Sequence, residues 1–228
     1  MTAPEGARPG TASAAVAVDV AVFTVRSGLL QVLLVQVRSG PFAGAWALPG
    51  GRVREDESLD EAAARELHAQ TAMRDVYLEQ LYTFGHPQRD PQDRVVSVAY
   101  VGLLADPGPA AAPAAAGKYE AMGWRPATRL PPLAYDHAAV VRLAVARLRA
   151  KLQYTNLAYT LLPTSFTLGE LQSLYESILG RPLDRRNFRR KVLSLGLLRP
   201  LGRMRRGRHR PAALYAFRSR RPMSVSVL

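Results

Sequence analysis

The sequence predicts an α+β protein with two domains, a larger one over residues 14–152 and a smaller, mostly helical one over residues 153–228. Strand-like and helical patterns alternate in the first part, whereas two short helices and a hairpin fill the second. At 228 residues, with 48% apolar residues, the chain is long enough to bury a core in each. Residues 1–13, which contain several prolines and glycines, are expected to form a disordered leader.

The composition excludes several classes of protein. The chain has no cysteine, which excludes disulfide scaffolds, thiol catalysis and cysteine-ligated zinc, and which fits a reducing cytosol. The apolar stretch Ala14–Val25 is interrupted by Asp19 and is too short to span a bilayer. We therefore expect a cytoplasmic protein with no membrane partner.

The larger domain begins with a predicted hairpin. Valines alternate with smaller or polar residues over 16–22, which is typical of a half-buried strand. Leu29–Val37 follows as the partner strand after a turn at Arg26–Gly28. Three further strands are predicted at Val76–Phe84, Val95–Leu104 and Tyr119–Trp124.

Two helices complete this domain. A Gly-rich loop at Trp46–Gly51 leads to a helix over Ser58–Ala72, which Ser58 and Glu61 are spaced to start as a capping box. The second helix is predicted over Asp136–Leu152. Between the strands, the Ala/Pro-rich segment Asp106–Gly117 predicts a flexible surface insertion.

The smaller domain has the order of a winged helix-turn-helix. Thr167 and Glu170 form a second capping box, and the helix that they open stops at Gly180–Pro182. Asp184 is a suitable N-cap for the next helix. The strands Leu197–Leu201 and Ala212–Phe217 then form a hairpin around the Arg-rich loop 202–211. Helix, turn, helix and wing in this order predict the fold.

The charge of the chain is concentrated in the smaller domain. Residues 1–150 hold 15 basic and 15 acidic side chains, whereas residues 151–228 hold 16 basic and 3 acidic ones. The entire net charge of +13 therefore lies in the last third of the chain. Such asymmetry indicates a polyanionic partner.

The second helix of this domain suits the major groove of duplex DNA. Phe188 and Val192 share one side of it, and Arg and Asn side chains, which recognise guanine, adenine or phosphate, occupy the other. Because Phe188 is on the apolar side, no aromatic residues available for stacking on bases interleave the basic ones, which favours duplex DNA over RNA. The alternative is a solvated charged surface that serves only solubility. The expected DNA-binding residues are Arg185, Arg186, Asn187, Arg189, Arg190, Lys191, Arg203, Arg205, Arg206 and Arg208.

A second motif extends over 23 residues from Gly51, GRVREDESLDEAAARELHAQTAM. Its Gly51, Glu57, Arg65 and Glu66 have the spacing of the Nudix box, which the segment strongly resembles. The resemblance implies a Nudix α/β/α sandwich and a nucleoside-diphosphate-linked ligand held beside this loop and helix.

The motif departs from the family pattern where the family binds metal. In Nudix hydrolases three carboxylates at i, i+3 and i+4 of the helix gather a divalent cation. Here those positions hold Glu66, Ala69 and Gln70. We therefore expect no catalytic residues, no metal-binding residues, no required cofactor and at most weak magnesium binding. Glu57 and Glu66 are expected to pair with arginines instead.

The same loop and helix supply the expected ligand contacts. Phosphates would meet the backbone of the paired glycines and nearby arginines. The alternative for Arg89 and Arg94 is a surface ion pair at the end of a hairpin. The expected ligand-binding residues are Gly50, Gly51, Arg52, Glu57, Arg65, Glu66, Arg89 and Arg94.

Together the two halves resemble the Nudix-related transcriptional regulators of NAD metabolism, the NrtR group. Tyr77–Gly85 and Leu183–Leu198 also carry the likeness. It implies a homodimeric repressor of NAD biosynthesis or salvage genes that binds a palindromic operator and senses ADP-ribose or a related NAD derivative. Motion between the domains is expected at the joint Tyr154–Phe166. The open alternatives are an ADP-ribose or nucleotide pyrophosphohydrolase with a basic accessory domain, and a nucleic-acid-associated scaffold without ligand.

Overall fold

The computed structural model describes residues 13–74, 76–105, 117–206, 211–225 and 227. Most of the predicted leader, nearly all of the predicted Ala/Pro insertion and the expected DNA contact Arg208 lie outside the described residues. Among the helices described, none is long and apolar enough to cross a membrane.

The first domain contains seven strands: β1 (Ala15–Arg26), β2 (Leu29–Val37), β3 (Trp46–Ala47), β4 (Gly50–Arg52), β5 (Tyr77–Phe84), β6 (Val95–Leu103) and β7 (Tyr119–Pro126). They form one mixed sheet with the path β3-β2-β1-β6-β5, while β4 pairs with β1 and β7 with β2. The predicted hairpin is confirmed: Arg26 pairs with Leu29 across a two-residue turn. Ser27 and Gly28 have positive φ (51° and 73°), as the turn that fits the twist of a hairpin requires.

Helices cover both faces of this sheet, which confirms the α/β/α sandwich. α1 (Leu59–Thr71) packs on the face that carries Val18, Val20 and Val22. α2 (His137–Tyr154) lies on the face that carries Phe23. The prediction of a half-buried first strand is therefore wrong, because residues 17–24 are buried on both faces.

The second domain has the predicted winged-helix order. A 3₁₀ helix (Leu157–Thr160) precedes α3 (Leu168–Leu179) and α4 (Arg185–Ser194). The strands are β8 (Phe166–Thr167), β9 (Leu198–Arg205) and β10 (Ala212–Phe217), and they form a sheet of the order β8-β10-β9. The expected Arg-rich loop is shorter than predicted, because pairing of Arg205 with Ala212 extends the strand to Arg205. β8 was not expected, since two residues carry no periodic pattern.

The predicted joint between the domains is packed rather than exposed. Leu157, Tyr159 and Leu162 are buried, and one hydrophobic core extends from the sheet through this segment into α3. α3 itself packs on α2, β1 and β2. The described residues therefore give no exposed linker at the place where we expected motion.

The end of the chain returns to this joint and forms what we term the C-terminal strap, residues 221–225 and 227. Val225 N–H donates to Tyr154 O at 2.8 Å. The buried Asn156 accepts from Met223 N–H at 2.8 Å and donates through its side chain to Arg221 O at 3.0 Å. The winged helix is thus held to α2 at both of its ends.

Candidate ligand pocket and nucleic-acid surface

The two glycines at the start of the Nudix-like motif lie in β4, not in the loop that we predicted. α1 begins at the expected capping box of Ser58 and Glu61 and then runs close beside this strand. A Cβ on Gly51 would overlap the Glu66 carboxylate, and one on Gly50 would overlap the carbonyl of Val18. Only glycine permits this approach of helix, strand and neighbouring strand.

Gln70 of α1 binds the backbone of Gly50 with both ends of its amide. It accepts from Gly50 N–H at 3.0 Å and donates to Gly50 O at 2.9 Å. A carboxylate at this position would have no proton for the carbonyl. The Gly50 N–H that we expected to meet phosphate is therefore already hydrogen-bonded within the protein.

The two carboxylates that remain from the family motif pair with Arg65, as expected. Arg65 donates to Glu57 through Nε at 2.6 Å and to Glu66 through Nη1 at 2.6 Å. Hydrogen bonds from Arg65, together with the Arg54 N–H, lower the pKa of Glu57 to about 2. We term Glu57, Arg65 and Glu66 the ion-pair cluster.

The side chains at the family's metal position do not fit a divalent cation. Such a cation needs several oxygen ligands that are free to coordinate it. Ala69 offers none, Gln70 is hydrogen-bonded to Gly50, and both carboxylates of the ion-pair cluster accept hydrogen bonds from Arg65. Among the residues that the structure describes, no group of three His, Cys, Asp or Glu side chains is arranged to hold a metal.

A cavity of about 310 Å³ opens beside β4, a size at the lower end of small-ligand sites. A second cavity of about 470 Å³ adjoins it and shares Arg89 and Tyr135. The Phe42 and Tyr135 rings at the second cavity lie 4.4 Å apart. The polar lining of the first cavity includes Asp19, Arg52, Arg89, Asp90, Lys118 and Tyr119.

Arg89 lies in a buried ion-pair network, so the alternative of a surface pair at a hairpin end is wrong for this residue. Its guanidinium donates to Asp19 at 2.9 Å and to Asp136, the N-cap of α2, at 2.8 Å. Ser97 adds a hydrogen bond of 2.6 Å to Asp19. Burial alone would raise the pKa of Asp19, but contacts with His137, Ser97 and Arg89 hold it well below its usual range.

His137 completes the network in a defined tautomer. Its Nδ1 accepts from the Leu48 N–H at 2.9 Å, and its Nε2 lies 3.2 Å from Asp19. Because Nδ1 accepts, Nε2 is the ring nitrogen that carries a proton toward Asp19. Sequence reasoning missed Asp19, His137 and Asp136 as members of the site. The available signal was one charged residue within an apolar strand.

The structure brings together only part of the expected ligand-binding set. Four of its members line the first cavity: Gly50, Gly51, Arg52 and Arg89. Of the ion-pair cluster, Glu66 lies against Gly51. Arg94 donates to the Val95 carbonyl at 3.3 Å. The lining residues Lys118 and Tyr119 were not expected, because they follow the Ala/Pro-rich segment, where no motif marks them.

α4 presents the expected basic surface. Asp184 caps it by accepting from the Asn187 N–H at 2.7 Å. Phe188 and Val192 are buried, with the Phe188 ring 5.2 Å from Tyr175 of α3. Arg189 is half-buried, whereas five side chains are exposed to solvent: Arg185, Arg186, Asn187, Arg190 and Lys191.

The wing adds further positive charge. Arg203 and Arg206 are exposed. Arg205 instead pairs with Glu170 in the first turn of α3 and donates to the Ser165 carbonyl at 3.3 Å. Arg205 is thus exposed as well, but it is paired with an acidic side chain of its own domain.

Two family models match the chain. The NUDIX domain matches residues 15–144, and the NrtR DNA-binding winged helix domain matches residues 158–217. A protein of Acinetobacter baylyi described as "ADPR responsive transcriptional repressor NtrR" is 38% identical over 202 residues, which cover 88% of this chain and 80% of that protein.

Solved structures give the same result. Shewanella oneidensis NrtR in complex with a 27mer DNA is 36% identical, has a TM-score of 0.77, and matches over 89% of this chain and 93% of that one. The NUDIX domain of the same protein, in complex with ADP ribose, is 35% identical with a TM-score of 0.55 and matches over 60% of this chain and 90% of its own. This chain therefore belongs to the NrtR family, in which a Nudix domain precedes a DNA-binding winged helix domain.

Proposed function

We propose that this protein is a transcriptional repressor of NAD biosynthesis or salvage genes that binds duplex DNA and responds to ADP-ribose or a related NAD derivative. One observation carries the proposal: α4 is anchored by Phe188 and Val192, and it exposes three of its arginines together with Asn187. Such a face can enter a major groove, where Arg recognises guanine and Asn recognises adenine. The DNA complex of the Shewanella relative and the description of the Acinetobacter relative as a transcriptional repressor support it.

The two adjoining cavities support the proposed ligand. The first is lined by the cationic groups of Arg52, Arg89 and Lys118, which suit a pyrophosphate. The second has aromatic rings, Phe42 and Tyr135, which suit a nucleobase. The Nudix domain of the Shewanella relative was solved with ADP ribose, a ligand that has both groups.

We propose that the protein acts in the cytoplasm as a homodimer that binds a palindromic operator. A twofold dimer presents two copies of α4 to two half-sites. The 27mer DNA bound by the Shewanella relative is long enough for half-sites about one helical turn apart. The absence of cysteine fits a reducing compartment.

We also propose that the Nudix domain binds its ligand without hydrolysing it. The family's reaction depends on a divalent cation, and Ala69, Gln70 and the ion-pair cluster do not fit one. A turnover assay with ADP-ribose and magnesium tests this part, and we expect no release of AMP above background. Turnover at enzyme-like rates that Glu66→Gln abolishes would favour the pyrophosphohydrolase instead.

A gel-shift assay tests the proposal as a whole. The full chain is titrated into DNA from upstream of NAD-synthesis genes and into a shuffled duplex, with and without ADP-ribose. We expect preferential binding to the upstream DNA and a change in that binding with ADP-ribose. Equal binding to both duplexes would contradict a specific regulator. Calorimetry that detects no heat of binding with ADP-ribose would favour the ligand-free scaffold.

A further inference from the structure

We propose that Lys118 is a built-in cation that replaces the divalent metal of the Nudix site and binds the ligand's pyrophosphate. This inference rests on the proposed function, since it concerns the ligand of the same cavity. The position of Lys118 supports it. The ammonium group donates to the Gly50 carbonyl and lies 3.4 Å from the Glu66 carboxylate. The side chain is 50% exposed and lines the 310 Å³ cavity.

The hydrogen-bonding capacity of Lys118 leaves room for a ligand. An ammonium group has three protons, and Gly50 and Glu66 account for two of them. The third remains for an anion in the cavity that the side chain lines. Lys118 thus stands between the ion-pair cluster and the cavity, where it can contact both at once.

The charge balance also indicates this role. The ion-pair cluster contains two carboxylates and one guanidinium, so it carries an excess of one negative charge. Lys118 cancels that excess at Glu66. The family motif, with further carboxylates in place of Ala69 and Gln70, requires a divalent cation for the same purpose. A site that has lost those carboxylates has less negative charge to neutralise. A single ammonium group can therefore take the place of the divalent cation.

Two consequences follow for binding. Ligand affinity should be independent of divalent cations, because the cation next to Glu66 belongs to the chain. Affinity should also depend on Lys118 mainly through the pyrophosphate, because an ammonium group interacts with phosphate oxygens as a compact point charge.

Calorimetry on the full chain tests the inference with two probes, ADP-ribose and inorganic pyrophosphate, in EDTA and in magnesium. We expect wild type to bind each equally well in both buffers. Lys118→Met keeps most of the aliphatic stem but removes the charge, and it should raise both Kd values about 10- to 100-fold. Lys118→Arg should restore part of the affinity.

A matched control is Arg38→Met, which removes a positive charge that bonds the carbonyl of the neighbouring Tyr119 at 3.2 Å. It should leave both Kd values within about twofold of wild type. Thermal unfolding of each variant verifies folding. It also provides a second readout, since pyrophosphate should raise the Tm of wild type more than that of Lys118→Met.

The possible outcomes separate this inference from the proposed function. Equal ADP-ribose affinity in wild type and Lys118→Met would overturn the inference and leave the proposed ligand intact. A wild-type affinity for ADP-ribose that requires magnesium would have the same meaning. Binding of pyrophosphate that depends on Lys118, without any binding of ADP-ribose, would support the inference and overturn the proposed ligand. Absence of binding by either probe would overturn both.

Discussion

The contacts beside the pocket depend on one atom, the side-chain amide nitrogen of Gln70. Its Nε2 donates to the Gly50 carbonyl and to the Glu66 carboxylate, two acceptors that a carboxylate in its place would repel. Gln70 therefore links the backbone of β4 to α1. Its neutral amide also stands where the family motif has a metal-binding carboxylate. The sequence predicts the second effect but not the first, because the partner of a buried amide depends on the fold.

We expect Gln70→Glu to destabilise the protein instead of restoring a metal site. The new carboxylate leaves the Gly50 carbonyl without this donor and faces Glu66, at a cost of about 2 kcal/mol at pH 7. Denaturant unfolding measures the loss, which should shrink at pH 5 as the carboxylate takes up a proton. Gln80→Glu on the exposed side of β5 is the control, and it should be near neutral. An unchanged stability of Gln70→Glu would argue against this role.

Single arginines of α4 should separate recognition of bases from binding of the backbone. We expect Arg186→Ala or Arg190→Ala to reduce the preference for the operator over a shuffled duplex by about 1–3 kcal/mol. Arg206→Ala on the wing should weaken both duplexes alike. Fluorescence anisotropy with the two duplexes measures both effects. Equal, sequence-independent losses from all three substitutions would mean that α4 does not read bases.

At the scale of elements, local signals predict well and long-range pairing does not. Both capping boxes and the first hairpin were predicted, because their residues are close in sequence, although Arg26 belongs to the strand and the turn has two residues instead of the three expected. The short strands β4 and β8 were not, since two or three residues become a strand only through a partner. The same reason hid the network of Asp19, Arg89 and Asp136, which joins β1, the segment before β6 and the start of α2.

This network should make a measurable contribution to stability. We expect Asp19→Asn to cost about 3–5 kcal/mol at pH 7, because it leaves Arg89 buried with only Asp136 as an ionic partner. The pKa of Asp19 is lowered by folding, so its contribution is present above the unfolded pKa near 4 and is lost as pH falls through the lower folded value. Unfolding of wild type and variant should thus converge in acid.

Asp93→Asn provides the matched control for that experiment. Its partner Arg52 is exposed, and the pair should contribute less than about 1 kcal/mol at any pH. A loss in Asp19→Asn no larger than in this control would show that the buried network does not stabilise the fold.

For the whole molecule, the separation of charge predicts the salt dependence of DNA binding. If about six basic side chains neutralise phosphates, the logarithm of affinity should fall with the logarithm of salt concentration at a slope of about −5. Titrations between low and moderate salt measure it, and Arg206→Ala should reduce the slope by about one. A slope near zero would be incompatible with the proposed nucleic-acid surface.

The continuous core predicts that the two domains unfold together. Because the sheet, the 3₁₀ helix and α3 share one hydrophobic cluster, calorimetry should show a single transition. Asn156→Ala removes two side-chain hydrogen bonds to the C-terminal strap and should cost about 2 kcal/mol. Gln153→Ala, an exposed neighbour, should have little effect. Two separated transitions in wild type would contradict a shared core.

Anchorage of the winged helix at both ends restricts how a ligand in the cavity can act on α4. Rotation about a single connecting peptide would break the hydrogen bond between Val225 and Tyr154 and expose the apolar side chains of the joint. A small shear displacement costs less, since α3 can shift along α2 while both anchors hold. Asp136, which contacts Arg89 of the cavity, begins that same helix. Signal transmission by sliding of packed helices is therefore the mode that this architecture favours.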